Sequence, residues 1–353
     1  MTTFTKQAQL YDYLNVTKLN HTMSDDEFEN ALPSLSKLLF DYGFDKILKD
    51  YNQKALKDTQ DDWHTLKTKK IDQDFINSTS TVGMAIIKKH MLHLYHVKSH
   101  KGVCIRDLWT KENLEKVLRL NRKTHSTPYV TELIRQLGFM AGTSKVTIYR
   151  PLLTKRIVDT FQAKKILDVC VGWGGRMLGS VCLPGVHYSG IEPCTKTMKA
   201  LKKMTRELNI TKQVKLYHGM AEQILPALDV NMKYDLALTS PPYYNLEIYS
   251  DEGTQSHHHG SYEDWVEQFL KPVVFGVLDR MAEDGHSCWS VKNFRTDKAY
   301  PLYDDIVRLH EERGWIKSDR EFYIGNCLRP GLKDDAGKSA KSKESTYVFV
   351  KGE

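Results

Sequence analysis

Apolar residues recur at steps of three and four early in the chain: Leu35, Leu38, Leu39 and Tyr42, then Ile47, Leu48 and Tyr51. That period lines one face of a helix. Ser24-Asp25-Asp26-Glu27 predicts the helix start, with Ser24 as N-cap and Glu27 in the capping-box position. Val82 to Tyr95 is a further helix candidate in which Lys88, Lys89, His90, His93 and His96 are interleaved. With no carboxylate or thiol partner evident nearby, these histidines read as a basic solvated face and not as metal ligands. Arg106 to Thr124 sets six Lys or Arg residues beside Leu114, Val117 and Leu118, and Pro128 opens a second helix through Gly138. Two such helices admit a plain basic hairpin or a helix-turn-helix reader of DNA.

The period changes after Gly142, which places a domain boundary near residue 140. Val146 to Tyr149 is strand-like, and Arg150-Pro151 opens a helix with proline in its first turn. Strands then alternate with helices: Lys165 to Val171, Gly175 to Val181, His187 to Ile191, Thr195 to Leu208, Val214 to Tyr217, Ala221 to Leu225 and Tyr234 to Thr239. Alternation of this kind argues for a parallel sheet with helices on both faces. Tyr262 opens a helix to Arg280 whose Trp265, Phe269, Val273 and Val277 belong to the core. Gly285 to Val291 and Ser345 to Lys351 read as the remaining strands, and Lys333 to Lys343 as a mobile loop.

Composition alters this picture little. At 353 residues, 41% of them hydrophobic and 27% charged, the chain has the material for one large domain and a smaller one. The net charge of +7 is compatible with a polyanionic partner without demanding one. Six cysteines stand without any Cys-x-x-Cys pair, which excludes a zinc-ribbon pattern and reads as reduced thiols. The amino terminus lacks an apolar leader pattern, and no stretch reaches the length of a membrane span, so a soluble, cytoplasmic protein is expected.

Chemistry concentrates at successive strand ends. Lys165-Ile166-Leu167-Asp168 runs into Val169-Cys170-Val171-Gly172-Trp173-Gly174-Gly175, a glycine-rich turn with a helix behind it. Such a turn lets backbone approach a ligand closely. The next strand ends in Glu192, about twenty residues on, where doubly wound folds hold ribose hydroxyls. A later strand ends in Ser240-Pro241-Pro242-Tyr243-Tyr244, which combines a hydroxyl, two residues with no N–H and an aromatic face. Rigid acceptors beside a flat ring suit a planar substrate bearing an amino group.

Together these residues resemble the S-adenosylmethionine-dependent amino-methyltransferases of DNA, which make N6-methyladenine or N4-methylcytosine. The family's glycine motif, usually Asp-Pro-Phe-x-Gly-x-Gly, is matched by Asp168 to Gly174, its ribose acid by Glu192 and its catalytic motif by Ser240-Pro241-Pro242-Tyr243. Its helix before the glycine motif is similar to Arg150-Pro151-Leu152-Leu153-Thr154-Lys155-Arg156-Ile157. The resemblance covers about residues 146–351 and implies a Rossmann-like methyltransferase domain at 141–353 behind a mainly helical domain at 1–140. It departs from the family at Cys170, which stands for the usual Phe and leaves the aromatic contact to Trp173, and at Gly219-Met220-Ala221-Glu222, where Glu222 replaces a usual Asp. Arg150, Pro151, Asp168, Cys170, Gly172, Trp173, Gly174, Glu192 and Glu222 are thereby implied as cofactor-binding, and Ser240 to Tyr243 as catalytic.

An exocyclic amine on a base is a poor nucleophile because its lone pair is delocalised into the ring. Hydrogen bonds from both its N–H groups, to the Ser240 hydroxyl and the Pro241 carbonyl, would favour a pyramidal nitrogen. The base must leave the duplex to get there, and Tyr243 would stack on it. A cytosine C5 enzyme would need a thiol in a Pro-Cys setting after this strand, but the only Pro-Cys pair, Pro193-Cys194, follows the preceding acid. Ser at the motif's first position favours N4 of cytosine over N6 of adenine within the family. Double-stranded DNA is the expected partner, with no metal required and a homodimer compatible. RNA guanine or protein glutamine as acceptor, and an inactive DNA-binding relative, are the alternatives. The helices at 1–140, with the loop at 245–260, are the candidates for target recognition, since neither motif is followed by a large insertion. His257, His258 and His259 in that loop read as solvated or as phosphate contacts, because adjacent residues do not readily converge on one ion.

Overall fold

The structure is a computed structural model that describes residues 24–55, 59–124, 130–140, 146–333 and 339–352. It divides into two compact units: Met1–Lys54 with Leu92–Val146, and Ala55–Met91 with Thr147–Glu353.

In the first unit, α1 (Asp25–Tyr42) begins with the capping box read from sequence: Glu27 N–H donates to the Ser24 hydroxyl while Ser24 N–H donates to the Glu27 carboxylate. Gly43, at φ 90°, ends it and lets the chain turn into α2 (Phe44–Ala55). Further helices span Lys111–Lys123 and Val130–Leu137, here α5 and α6 (α3 and α4 belong to the other unit, below). Phe28, Leu32, Leu35 and Leu39 of α1 share one core with Leu114, Val117, Leu118, Leu133 and Ile134. The basic flank of α5 is largely neutralised from within: Arg119 pairs with Glu29 at 2.9 Å, Arg122 with Asp25 at 2.7 Å and Lys116 with Glu112 at 2.6 Å. The Pro128 at which α6 is expected to open lies outside the described residues.

The second unit is built on one sheet. Its elements are α3 (Thr59–Thr68), β1 (Phe75–Asn77), α4 (Ala85–His90), α7 (Pro151–Thr160), β2 (Lys165–Asp168), α8 (Gly175–Val181), β3 (His187–Glu192), α9 (Thr195–Glu207) and β4 (Val214–His218). There follow α10 (Ala221–Ala227), β5 (Tyr234–Thr239), α11 (Tyr262–Trp265), α12 (Lys271–Leu278), β6 (Met281–Ser290), β7 (Phe294–Arg295), β8 (Ala299–Tyr300), α13 (Leu302–Glu311), β9 (Trp315–Lys333) and β10 (Ser339–Lys351). The strand order is β1-β9-β10-β6-β5-β2-β3-β4, parallel except for β10, which is antiparallel to both of its neighbours. Helices α10, α12 and α13 share a core with the sheet residues Leu167, Ala237, Trp289 and Phe349. Helices α7 and α8 pack on one another, with α8 against β3 and α9 against β3 and β4, so helices cover both faces of a Rossmann-like sheet.

Several expectations change. Residues 55–91, read from sequence as part of the amino-terminal helical domain, belong to the sheet unit. β1 adds a parallel strand to β9, from Phe75 opposite Tyr323 to Asn77 opposite Gly325. The buried Lys155 of α7 donates to the carbonyls of Leu66, Lys67 and Lys69, taking up the free end of α3. The helix expected over Val82 to Tyr95 is shorter: α4 ends at His90 and a tight turn of 3-10 type follows over Leu92–His96. Residues 146–149 form no strand and pair with no neighbouring strand among the described residues; the Tyr149 hydroxyl is hydrogen-bonded to Thr346 at 2.7 Å. Helix 262–280 is broken by a π turn over Val266–Leu270, just before Pro272, whose missing N–H disturbs the helical ladder. The loop expected at Lys333 to Lys343 is shorter, since β9 reaches Lys333 opposite Ser339 of β10, and 334–338 lie outside the described residues. Helix α13 and strand β9 are not among the elements read from sequence.

Candidate active site

Strand order reverses between β2 and its neighbour β5: the chain proceeds from β2 outward to β3 and β4, then returns to β5 on the other side. In open α/β sheets the crevice outside the carboxyl ends of such a pair is where ligands bind. The glycine turn leaves β2 and Ser240 leaves β5, so the sequence's two strongest signals meet at this point.

Asp168 at the end of β2 is the hub. Its fully buried carboxylate accepts from the Arg176 guanidinium at 2.8 Å, the Tyr188 hydroxyl at 2.6 Å, the Thr239 hydroxyl at 2.9 Å and Cys170 N–H at 3.2 Å. Burial works against the Arg176 charge, but Asp168 beside it holds that charge well above the usual range. The guanidinium also reaches the Cys170 carbonyl and lies 5.5 Å over the Tyr149 ring. Asp168 therefore supports the loop from beneath, since its acceptor capacity is spent inside the protein.

Above it, Gly172 and Gly174 adopt φ of 55° and 84°, the left-handed region that glycine enters without cost. A Cβ on Gly174 would also stand 2.8 Å from Leu201 and 2.9 Å from Met204. Gly175 and Gly179 answer a different need. A Cβ on either would drive into a backbone carbonyl, of Tyr149 and Pro151 respectively, so α8 lies directly on the start of α7. Pro151 thus meets α8 through its backbone carbonyl at Gly179 and is buried as the first residue of α7, while the Arg150 guanidinium donates to the Ser78 carbonyl at 2.6 Å.

Glu192, at the end of β3, spans the loop: one carboxylate oxygen accepts from Gly172 N–H and the other from Cys194 N–H, each at 2.9 Å. Burial raises its pKa to about 7 against those two hydrogen bonds. Each oxygen keeps a further lone pair, which is what a pair of ribose hydroxyls requires. Glu222 in the first turn of α10 has one buried carboxylate oxygen with no hydrogen-bond partner among the described residues, and burial raises its pKa as well. Burial also pushes the Cys170 thiol up, so it stays protonated at neutral pH. Trp173 is buried with its ring 6.0 Å from that of Tyr249.

Ser240 is half-buried, and its hydroxyl has no hydrogen-bond partner among the described residues. Pro241 is buried, and the half-buried Tyr243 faces Phe294 at 5.3 Å. Tyr244 turns the chain sharply, at a φ of 45° unusual for a residue with a side chain, and is held among Tyr262, Trp265 and Tyr300. The loop beyond is tied down. Ser256 donates to the Tyr244 carbonyl at 2.8 Å, and the Glu252 carboxylate accepts from Thr195 N–H at 3.1 Å, at the positive end of α9. Among the described residues no cluster of His, Cys, Asp and Glu is arranged to hold a metal, and no helix is long and apolar enough to cross a membrane.

The sequence singles out the loop, Glu192 and Ser240 but not Arg176, Tyr188, Thr239, Tyr249 and Phe294, which the structure places around them. Arg176 follows the glycines directly, and a charged residue at a buried helix start is a signal that could have been read.

No family model matches the chain, and no curated protein sequence matches it. Solved structures do. TrmN from Thermus thermophilus is 13% identical with a TM-score of 0.38, over 57% of this chain and 48% of its own. The precorrin-6y C5,15-methyltransferase of Geobacter metallireducens is 12% identical with a TM-score of 0.38, over 59% and 90%. The SAM-dependent methyltransferase of Agrobacterium tumefaciens is 12% identical with a TM-score of 0.40, over 61% and 66%. The chain thus spans about half the length of the first of these. Likeness at this level carries no argument about chemistry, and the fold stands on its own strand order.

Proposed function

We propose that this chain transfers a methyl group from S-adenosylmethionine to the exocyclic amine of a base in double-stranded DNA, with N4 of cytosine favoured over N6 of adenine. The observation that carries the reading is the placement of Ser240-Pro241-Pro242-Tyr243 beside the glycine turn at the sheet's switch point, joined to it by the Thr239–Asp168 hydrogen bond of 2.9 Å.

The residues present fit the cofactor. Glu192 offers lone pairs for ribose hydroxyls, Gly172 and Gly174 keep the loop free of side chains, and the orphaned oxygen of Glu222 is an acceptor for an amino group. When bound, S-adenosylmethionine supplies an electrophilic methyl on a sulfonium. The protein's part is to prepare the nucleophile. The unpartnered Ser240 hydroxyl and the Pro241 carbonyl accept the two amine N–H groups, which pulls nitrogen lone-pair density out of the ring. Tyr243 gives the base a face to stack on, and the rigid proline backbone fixes its orientation.

A polyanionic acceptor agrees with the surface of α9. Lys196, Lys199, Lys202, Lys203 and Arg206 are all exposed, and none has a carboxylate partner among the described residues. That contrasts with the paired cations of α5. Offering the protein labelled S-adenosylmethionine with duplex DNA, structured RNA and a protein mixture tests the acceptor. Label is expected in DNA; label in RNA or protein alone would overturn the reading.

A further inference from the structure

Strand β6 runs parallel to β5, so its carboxyl end opens on the edge that carries Ser240. The chain leaving it, Lys292-Asn293-Phe294-Arg295, lines with Leu246 an open cleft of about 470 Å³. This rim is firmly built. The Asn293 side chain accepts from Tyr303 N–H at 2.9 Å and donates to Asp304 at 2.8 Å, fixing it to the start of α13. Phe294 is buried, stacks on Tyr300 at 4.9 Å and lies 5.3 Å from the Tyr243 ring. The nearby anion Asp297 is committed within the β7–β8 turn, where hydrogen bonds from Thr296 and Tyr300 draw its pKa down to about 2. Arg295 is left exposed with no carboxylate partner among the described residues.

A cationic rim one residue from the ring that touches Tyr243 calls for a ligand with two parts, an anion in the cleft and a planar group at the catalytic motif. A nucleotide within a strand has both. We propose that Lys292 and Arg295 hold a DNA phosphodiester next to the acceptor nucleotide, so that the cleft is a backbone-positioning site for the base delivered to Ser240. This rests on the reading of the acceptor as a DNA base. It makes the enzyme act on a polymer strand and discriminate against free nucleosides.

The test uses the full chain with S-adenosylmethionine and a methylatable duplex, comparing wild type with Arg295→Gln and Lys292→Gln. Either substitution is expected to raise KM for DNA on the order of tenfold, with kcat and cofactor affinity unchanged, because a charge-assisted contact is lost in binding and not in transfer. The slope of log affinity against log salt should shrink by about one for each contact removed. Arg295 is exposed, so an unchanged melting temperature is expected for its variant. If wild type methylates DNA while both variants keep its KM and salt slope, this site is wrong and the proposed function stands. If wild type methylates RNA or protein and not DNA, the proposed function falls and takes this site with it.

Discussion

Glu192 carries a testable electrostatic consequence. Burial raises its folded pKa to about 7, above the 4.5 of a solvated glutamate. Its contribution to folding is therefore complete below about 4.5 and lost as pH rises through about 7. A ligand that donates hydrogen bonds to the carboxylate favours the ionised form, so binding expels the proton. Cofactor affinity should then rise by about tenfold between about pH 6 and about pH 8, and calorimetry at the two values checks it. Affinity that is flat across that range would show that ribose does not meet Glu192. A second test at this scale concerns Arg176. Replacing it by Met leaves Asp168 buried without its counter-charge, at a cost of about 3–5 kcal/mol. Denaturant midpoints measure this, and the Asp168→Asn/Arg176→Met double variant should recover part of the loss.

Among the elements, α8 is the one whose seat is most tightly specified. Gly179→Ala would push a methyl into the Pro151 carbonyl and separate α8 from α7. The expected cost is about 1–3 kcal/mol, read as a lowered melting temperature, with weaker cofactor binding because the glycine turn moves with the helix. An unaltered melting temperature would mean that this contact is looser than described. The same elements show what was legible in the sequence. α8 and β5 follow the expected bounds at Gly175–Val181 and Tyr234–Thr239, because glycine and proline punctuate both. Residues 146–149 look like a strand by composition but form none, and the contacts that hold Tyr149, to Gly175 and Thr346, are distant in sequence and announced by no local pattern. In the candidate site, Ser240 and Glu192 stand out in the sequence because each falls at the end of a strand. Tyr188 and Thr239 do not, since their role is a shared bond to a residue 20 and 71 positions away.

For the molecule as a whole, the division of the chain decides which truncations can work. The bonds from Lys155 to α3 and the pairing of β1 with β9 bring residues 55–91 into the sheet unit across long sequence separations. That is why a boundary near 140 looked natural in sequence. Deleting residues 1–140 is expected to strip the sheet unit of β1 and leave the buried Lys155 ammonium without acceptors, giving an unfolded or aggregating product. Deleting residues 1–54 leaves every element of the sheet unit in place, so cofactor binding should survive, as a binding isotherm on each product would show. The central claim is the reaction itself. The most direct measurement is nucleoside mass spectrometry on unmethylated duplex DNA treated with the protein and S-adenosylmethionine, with Ser240→Ala in parallel. The account predicts N4-methylcytosine with wild type and its loss with Ser240→Ala, while the variant still binds the cofactor. A methylated base undiminished by Ser240→Ala, or no methylated base at all from a protein that binds the cofactor, would contradict it.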